Sequence, residues 1–219
     1  MKNDLKNKDL NPRLRKTDVS GSRFVPMLFS TEMVQAILNG TKTETRRILT
    51  KEDWLNKSHI NKPTITDNGK MAHFGDFAGR VGKVSIGDII WVRETFINQA
   101  DAVYYKADNI ETAKHYKWKP SLFMPKYACR IFLKCVSVNV ERLQDIDEKS
   151  AINEGIIQNY DAKEGWYKNY LFKNPNIIML PKKSYMTLWQ KINGKNSWEV
   201  NPFVWVYKFE RTERPHDFR

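Results

Sequence analysis

Apolar positions along this chain change period several times. Met33, Val34, Ile37 and Leu38 recur at helical spacing behind Ser30, a natural N-cap, and Asn39-Gly40 supplies the C-terminal stop. The short apolar run Ile89-Ile90-Trp91-Val92 follows a Gly87-Asp88 turn and predicts a strand extending towards Phe96. Ala102 to Lys106 predicts another. Ala128 to Val140 predicts a long β-rich segment, either a central strand or one bent by a bulge. Asp145 with Glu148 has the form of a capping box opening a short helix through Ala151 and Ile152 to Glu154, with Gly155 as its stop. Tyr185, Met186, Leu188, Trp189 and Ile192 predict an amphipathic helix ending at Asn193-Gly194, and Phe203 to Phe209 a buried strand followed by a charged tail.

Between these elements the pattern fades. Residues 1–22 alternate charge and Asn with few apolar residues and are expected to form a mobile basic arm. Segments 51–86 and 157–181 carry Gly, Pro and aromatic residues in no clear period and are expected to be insertions in one domain spanning 23–219. With no internal repeat and no βαβ rhythm, the expected class is α+β: a small mixed or barrel-like sheet with short peripheral helices.

Composition sharpens this picture in three ways. At 219 residues, 41% of them apolar, the chain can bury a full core, so disorder throughout is excluded. Lys and Arg outnumber Asp and Glu by 37 to 25, a net charge of +12 that favours phosphate-rich partners. No run approaches about 18 apolar residues, and Lys2, Asp4, Lys6 and Lys8 occupy the N-terminus, so a cytoplasmic protein without a membrane partner is expected. If Cys129 and Cys135 lie on one extended strand they stand roughly 20 Å apart, beyond disulfide reach. His59, His73, His115 and His216 show no metal-ligand spacing, so neither metal nor cofactor is expected.

The densest polar cluster, Thr41-Lys42-Thr43-Glu44-Thr45-Arg46-Arg47, follows a helix C-terminus, where functional loops concentrate. A lysine crowded by arginines loses its proton more easily and can serve as a base; the arginines suit phosphate or an oxyanion. The same heptad equally describes a solvated edge strand of alternating charge. In a regular strand Lys42, Glu44 and Arg46 share one face and Thr43, Thr45 and Arg47 the other, so Lys42 and Thr45 cooperate only across a turn or bulge. Glu94 sits on an apparently buried strand and needs a partner such as Arg93 or a residue across the sheet. Glu154, at a helix C-terminus, is expected to have a raised pKa suited to proton transfer, or else to be an ordinary exposed glutamate.

Two stretches contain no acidic residue, 114–134 and 165–198, each with six basic residues among aromatics. In the first, Lys114, Lys117, Trp118, Lys119, Lys126 and Arg130 have the mixture that holds a nucleic-acid backbone and stacks on bases. Alternatively the aromatics are core and the lysines confer solubility. No RNA-recognition, KH or zinc-finger signature is present.

These pieces resemble a known family, the ASCH domains of the PUA-like superfamily, in their larger phage and prophage form. The resemblance covers most of residues 24–210. It is carried by Leu28-Phe29-Ser30-Thr31-Glu32-Met33, Ile37 through Arg47, Gly87-Asp88, Trp91-Val92-Arg93-Glu94-Thr95, Trp118-Lys119-Pro120-Ser121, Met124-Pro125, Glu141-Arg142-Leu143-Gln144-Asp145-Ile146, Ala151 to Gly155, and Asn201-Pro202-Phe203-Val204-Trp205-Val206. It implies a small β-barrel with a cleft beside the Gly-x-Lys-Thr-x-Thr segment and a nucleoside, nucleotide or nucleic-acid partner, RNA before DNA. A short bacterial branch similar in this segment hydrolyses N4-acetylcytidine with a lysine, a threonine and a glutamate, which fall here on Lys42, Thr45 and Glu154. The implied roles are Lys42 as base, Thr45 as nucleophile and Glu154 as proton carrier for the leaving amine, with Thr43, Arg46, Arg47 and Glu94 around the substrate. The chain is much longer than that branch, and Arg46 stands where the branch has an apolar residue. The alternatives are a non-catalytic RNA- or DNA-binding module and a nuclease.

Overall fold

Five strands form the central sheet. The structure, a computed structural model, describes residues 23–50, 64–65, 71–72, 83–99, 102–109, 117–158, 166–171 and 179–219. The basic arm at 1–22, most of the two expected insertions, and Lys114 lie outside the described residues. Strands β1 (Phe24–Leu28), β2 (Glu44–Ile48), β5 (Ile89–Arg93), β8 (Phe132–Arg142) and β9 (Phe203–Thr212) take the order β1-β5-β8-β9-β2, parallel between β1 and β5 and antiparallel elsewhere. The class is α+β, mostly sheet with few helices. Among the described residues no ladder joins the edge strands β1 and β2. Two small antiparallel pairs lie outside this sheet: β3 (Thr64–Ile65) with β4 (Met71–Ala72), and β6 (Phe96–Gln99) with β7 (Ala102–Tyr105).

Strand β5 explains why its sequence runs apolar instead of alternating: both of its faces are covered. Ile90 and Val92 enter the main core with Val34, Ile37, Leu133 and Val206, while Ile89 and Trp91 enter a second core with Phe96, Phe132 and Phe218. Phe218 packs edge-on against Phe24 and Phe132 at 5.1 and 4.8 Å between ring centroids. The expected charged tail is therefore a strand continuing to Thr212, with an aromatic plug beyond it. Strand β8 does bend, with a register shift between Cys135 and Ser137 that turns Val136 outward.

The helices follow their sequence signals closely. Helix α1 (Thr31–Leu38) is capped by Ser30, whose Oγ accepts from Met33 N at 3.3 Å, and Gly40 beyond it sits at φ +80°. Helix α3 (Pro181–Asn193) ends at Gly194 as expected. The short helix α2 (Glu148–Asn153) departs from expectation at its start. Its cap is Asp147, accepting from Ser150 N at 2.6 Å, and Asp145 belongs to the preceding 3-10 turn. Cys129 lies ahead of β8, not on it, and both cysteines are buried free thiols pushed up to about 11 by burial. No helix among the described residues is long and apolar enough to cross a membrane.

Candidate functional site

The site is assembled where α1 and α2 both stop. Gly40 reverses the chain after α1, so that Lys42 N returns to Ala36 O at 2.9 Å and Thr43 N reaches Asn153 O at 2.9 Å. Gly155, at φ +81°, closes α2 against the same spot: a Cβ there would stand 2.7 Å from the Cβ atoms of both Ala36 and Lys42. Only glycine meets both demands, the left-handed backbone and the absent side chain.

This packing buries Lys42 against Glu154. The ammonium donates to Glu154 Oε2 at 2.7 Å, to the Glu154 carbonyl at 2.8 Å and to the Glu44 carbonyl at 2.7 Å, which uses all three of its protons. Arg46 stands on the same strand face, as alternation requires, and donates to Glu154 Oε1 at 3.2 Å and to Glu141 Oε1 at 2.8 Å. Glu44 is held by Asn153 at 3.1 Å and by Lys208, its cross-strand neighbour on β9, also at 3.1 Å. The cluster Thr41–Arg47 therefore leads into and forms most of the edge strand β2, with Lys42 bridging to Glu154 ahead of it, and Lys42, Glu44, Thr45 and Arg46 are buried.

Burial lowers the Lys42 pKa, against the opposing pull of Glu154. For Glu154 burial alone would raise the carboxyl, yet Lys42 and Arg46 outweigh it and hold it below the usual carboxylate range. The expected upward shift from the α2 C-terminus is thus overturned by two cations in direct contact. Tyr185 on α3, whose hydroxyl stands 3.5 Å from Glu154 Oε1, is pushed well up by burial and then by that carboxylate, so it stays a donor.

A pocket of about 60 Å³ opens beside the pair. Arg46, Arg47 and Glu154 form its polar wall, Met33 of α1 contributes from one flank, and Tyr185 and Trp189, one turn apart on α3, from the other. Its volume is small against the roughly 300–1,000 Å³ of sites that engulf a drug-sized ligand, so it suits one ring or acyl group. The main chain of β2 contributes as well. Phe209 N bonds Thr43 O and Leu49 N bonds Phe203 O, so the odd-numbered residues of β2 face β9. By the alternation of an antiparallel ladder, Arg46 and Ile48, both of which line the pocket, turn their amides and carbonyls to the outer edge of the sheet.

The structure brings Lys42, Glu154 and Arg46 together and leaves Thr45 apart. Thr45 Oγ1 is buried with no hydrogen-bond partner, and neither Thr45 nor Lys42 lines the pocket, whereas Glu154 and Arg46 do. Thr43 is exposed. Arg47, its pKa lowered by burial, donates to Leu28 O at 3.0 Å across the two edge strands. Glu94 belongs to a different cluster: Arg130, not Arg93, is its partner, at 2.9 and 3.0 Å, and the same guanidinium holds Asp108 with two bonds of 2.8 Å while lying 3.8 Å over the Tyr105 ring. Arg130 is thereby committed to carboxylates. Lys117 and Lys119 are exposed, Trp118 is half-buried, and Lys126 stands over Phe218 at 4.8 Å and donates to Arg219 O.

Sequence reasoning missed Tyr185, Trp189, Glu44 and Glu141. The α3 pair reads as core from its period, and only the basic, acid-free character of 165–198 hinted at more. No group of His, Cys, Asp and Glu among the described residues is arranged to hold a metal ion. No family model matches the chain, and no curated protein or solved structure matches it.

Proposed function

We propose that this chain is an ASCH-type hydrolase that takes a modified pyrimidine base into the pocket between β2 and α3 and cleaves an exocyclic amide of the N4-acetylcytidine kind. The observation that carries this reading is the bond between Lys42 and Glu154, two residues that the sequence pattern flagged separately and the resemblance paired. They meet as a buried pair, with Glu154 on the wall of an aromatic-lined opening and Lys42 directly behind it. The link from Arg47 to Leu28 O, which draws the edges of the sheet together, also suits a PUA-like barrel.

The pair is poised for proton exchange. With all three ammonium protons engaged, Lys42 becomes a base by passing one across the 2.7 Å bond to Glu154, which leaves a neutral amine and a neutral carboxyl. Burial favours the neutral form of Lys42, while Lys42 and Arg46 keep Glu154 ionised at rest, so the transfer belongs to the reacting complex and not to the resting pair. Lys42 then accepts the proton of the attacking hydroxyl, and the Glu154 carboxyl gives its proton to the departing exocyclic amine as the amide C–N bond breaks, releasing cytidine and, after hydrolysis, acetate. In this reading the outward amides of β2 and the Arg47 guanidinium hold the oxyanion.

Thr45 is the implied nucleophile, and its uncommitted buried hydroxyl is the kind of unsatisfied group that functional sites retain. Its absence from the pocket wall favours a second reading, in which water attacks directly. Ultraviolet-monitored hydrolysis of N4-acetylcytidine decides both. Turnover lost in Lys42→Ala and Glu154→Gln supports the amidohydrolase; no turnover by the native chain sinks it. Turnover surviving in Thr45→Ala assigns the attack to water.

A further inference from the structure

Helix α3 turns one face to the pocket. Tyr185, Leu188, Trp189 and Ile192, at i, i+3, i+4 and i+7, all line it. Among these four only Tyr185 brings a hydroxyl. Its ring packs between Trp189 and Trp198, each at 6.3 Å between centroids, so packing fixes where the hydroxyl stands.

The bond that this hydroxyl makes is a poor one. It stands 3.5 Å from Glu154 Oε1, whereas a hydroxyl given to a carboxylate settles at about 2.5–2.7 Å. Arg46 serves Oε1 better, at 3.2 Å, and Lys42 takes Oε2 at 2.7 Å. Burial pushes the phenol well above its ordinary 10, so the group stays a donor. A buried donor held this loosely on a pocket wall calls for a better acceptor. Oε1 and Oη thus set an acceptor and a donor side by side. Their complement is one particular edge, an amide N–H next to a ring nitrogen, the pattern by which a side-chain amide reads the amine and ring nitrogen of adenine. A carboxylate oxygen has lone pairs to spare, so Oε1 can face that N–H without losing Arg46.

We propose that Tyr185 Oη donates to the ring nitrogen adjoining the acylated amine while Glu154 Oε1 faces the amide N–H, which makes Tyr185 the residue that selects the substrate. The inference rests on the amidohydrolase reading and deepens it. The substrate class becomes amides of aromatic amines flanked by a ring nitrogen; an anilide lacks the acceptor. The contact also acts on rate. As the amide C–N bond breaks, the electron pair left on the amine spreads to that ring nitrogen, where the phenol hydrogen bond strengthens. No proton leaves Tyr185, since Glu154 supplies the one that the amine takes up.

The test changes one atom of the substrate against one atom of the protein. Hydrolysis of N4-acetylcytidine and of N4-acetyl-3-deazacytidine, whose ring carries C–H in place of that nitrogen, is followed by ultraviolet absorbance for the native chain and Tyr185→Phe. The phenylalanine ring keeps the packing against both tryptophans, and circular dichroism checks the fold. Tyr185→Phe is expected to lower kcat/KM about 10- to 100-fold on the first substrate, mostly in kcat, and by less than about threefold on the second. A native-to-variant ratio equal for the two substrates, which is what a merely structural tyrosine gives, overturns the proposal, as does a variant fully active on the first. Isothermal titration with cytidine and 3-deazacytidine separates the contact from the chemistry. The native chain should prefer cytidine about tenfold, and Tyr185→Phe should show no preference. That pattern without hydrolysis keeps the contact and sinks the amidohydrolase; hydrolysis with equal binding and equal rate ratios does the reverse.

Discussion

Lys42 and Glu154, 112 positions apart, share a 2.7 Å bond with side-chain exposures of 0 and 3%. A pair so buried is strongly asymmetric in its energetics: kept whole it is satisfied, but losing one member strands the other.

We expect Glu154→Gln to cost about 3–5 kcal/mol, because it leaves the Lys42 ammonium with only neutral acceptors. Lys42→Ala should cost less, about 3 kcal/mol, since Arg46 still faces the carboxylate. Urea unfolding of both variants and of the Lys42→Met/Glu154→Leu double variant checks this. The double variant should recover part of the loss, and two additive single losses would contradict the coupling.

Acidification should act through the same carboxyl. The folded-state pKa of Glu154 lies below the ordinary 4.5, so its contribution is present above about pH 4.5 and disappears as pH falls through the lower folded value. Lys42, lowered in the folded state, works at the opposite end of the scale, where stability rises with pH between its folded value and the ordinary 10.5. Urea midpoints between pH 3 and 6 should fall on the acid side for the native chain and be flatter for Glu154→Gln.

Gly155→Ala combines a strained φ with two side-chain clashes at 2.7 Å. The neighbours are Cβ atoms fixed to α1 and to the strand lead, so neither can swing aside. A loss of more than about 2 kcal/mol is expected, together with loss of the Lys42–Glu154 contact. Thermal melts and any activity should fall together, and a neutral Gly155→Ala would show that the close approach is not rigid.

Arg130→Ala should leave Glu94 buried without a partner. Burial already raises the Glu94 carboxyl despite Arg130, so the variant Glu94 should take up a proton more readily still. Because Arg130 is partly exposed, the expected cost is about 2–3 kcal/mol, below the fully buried case. Adding Glu94→Gln to Arg130→Ala should restore part of it, as read from the thermal midpoint.

What could be read from the sequence was local. Ser30 and Gly40 bound α1 because a cap and a left-handed stop act within a few residues, while the β8 segment read as either a central strand or a bulged one, and only its pairing with β9 fixes the bulge at Val136. The α2 cap could not be chosen that way, since Asp145 and Asp147 both suit the role and only the preceding 3-10 turn decides. Asp147→Ala should therefore cost about 1 kcal/mol and Asp145→Ala much less. Lys42 and Glu154 were legible separately in the residue pattern and as a pair by resemblance, whereas Glu44, Glu141 and Tyr185 join them only through the β2–β9–β8 ladders and the docking of α3. The pairing of Glu94 with Arg130 across 36 residues leaves no periodic trace either.

Strand β2, which follows Lys42, finds its only ladder among the described residues with β9 at 203–212. During synthesis the edge that presents Lys42 and Arg46 thus waits unpaired while some 150 further residues are made, at roughly 5–20 residues per second. The charged residues of Thr41–Arg47 serve the nascent chain as well as the finished site, because an exposed strand edge rich in Lys, Arg and Glu resists pairing with its neighbours on the same messenger.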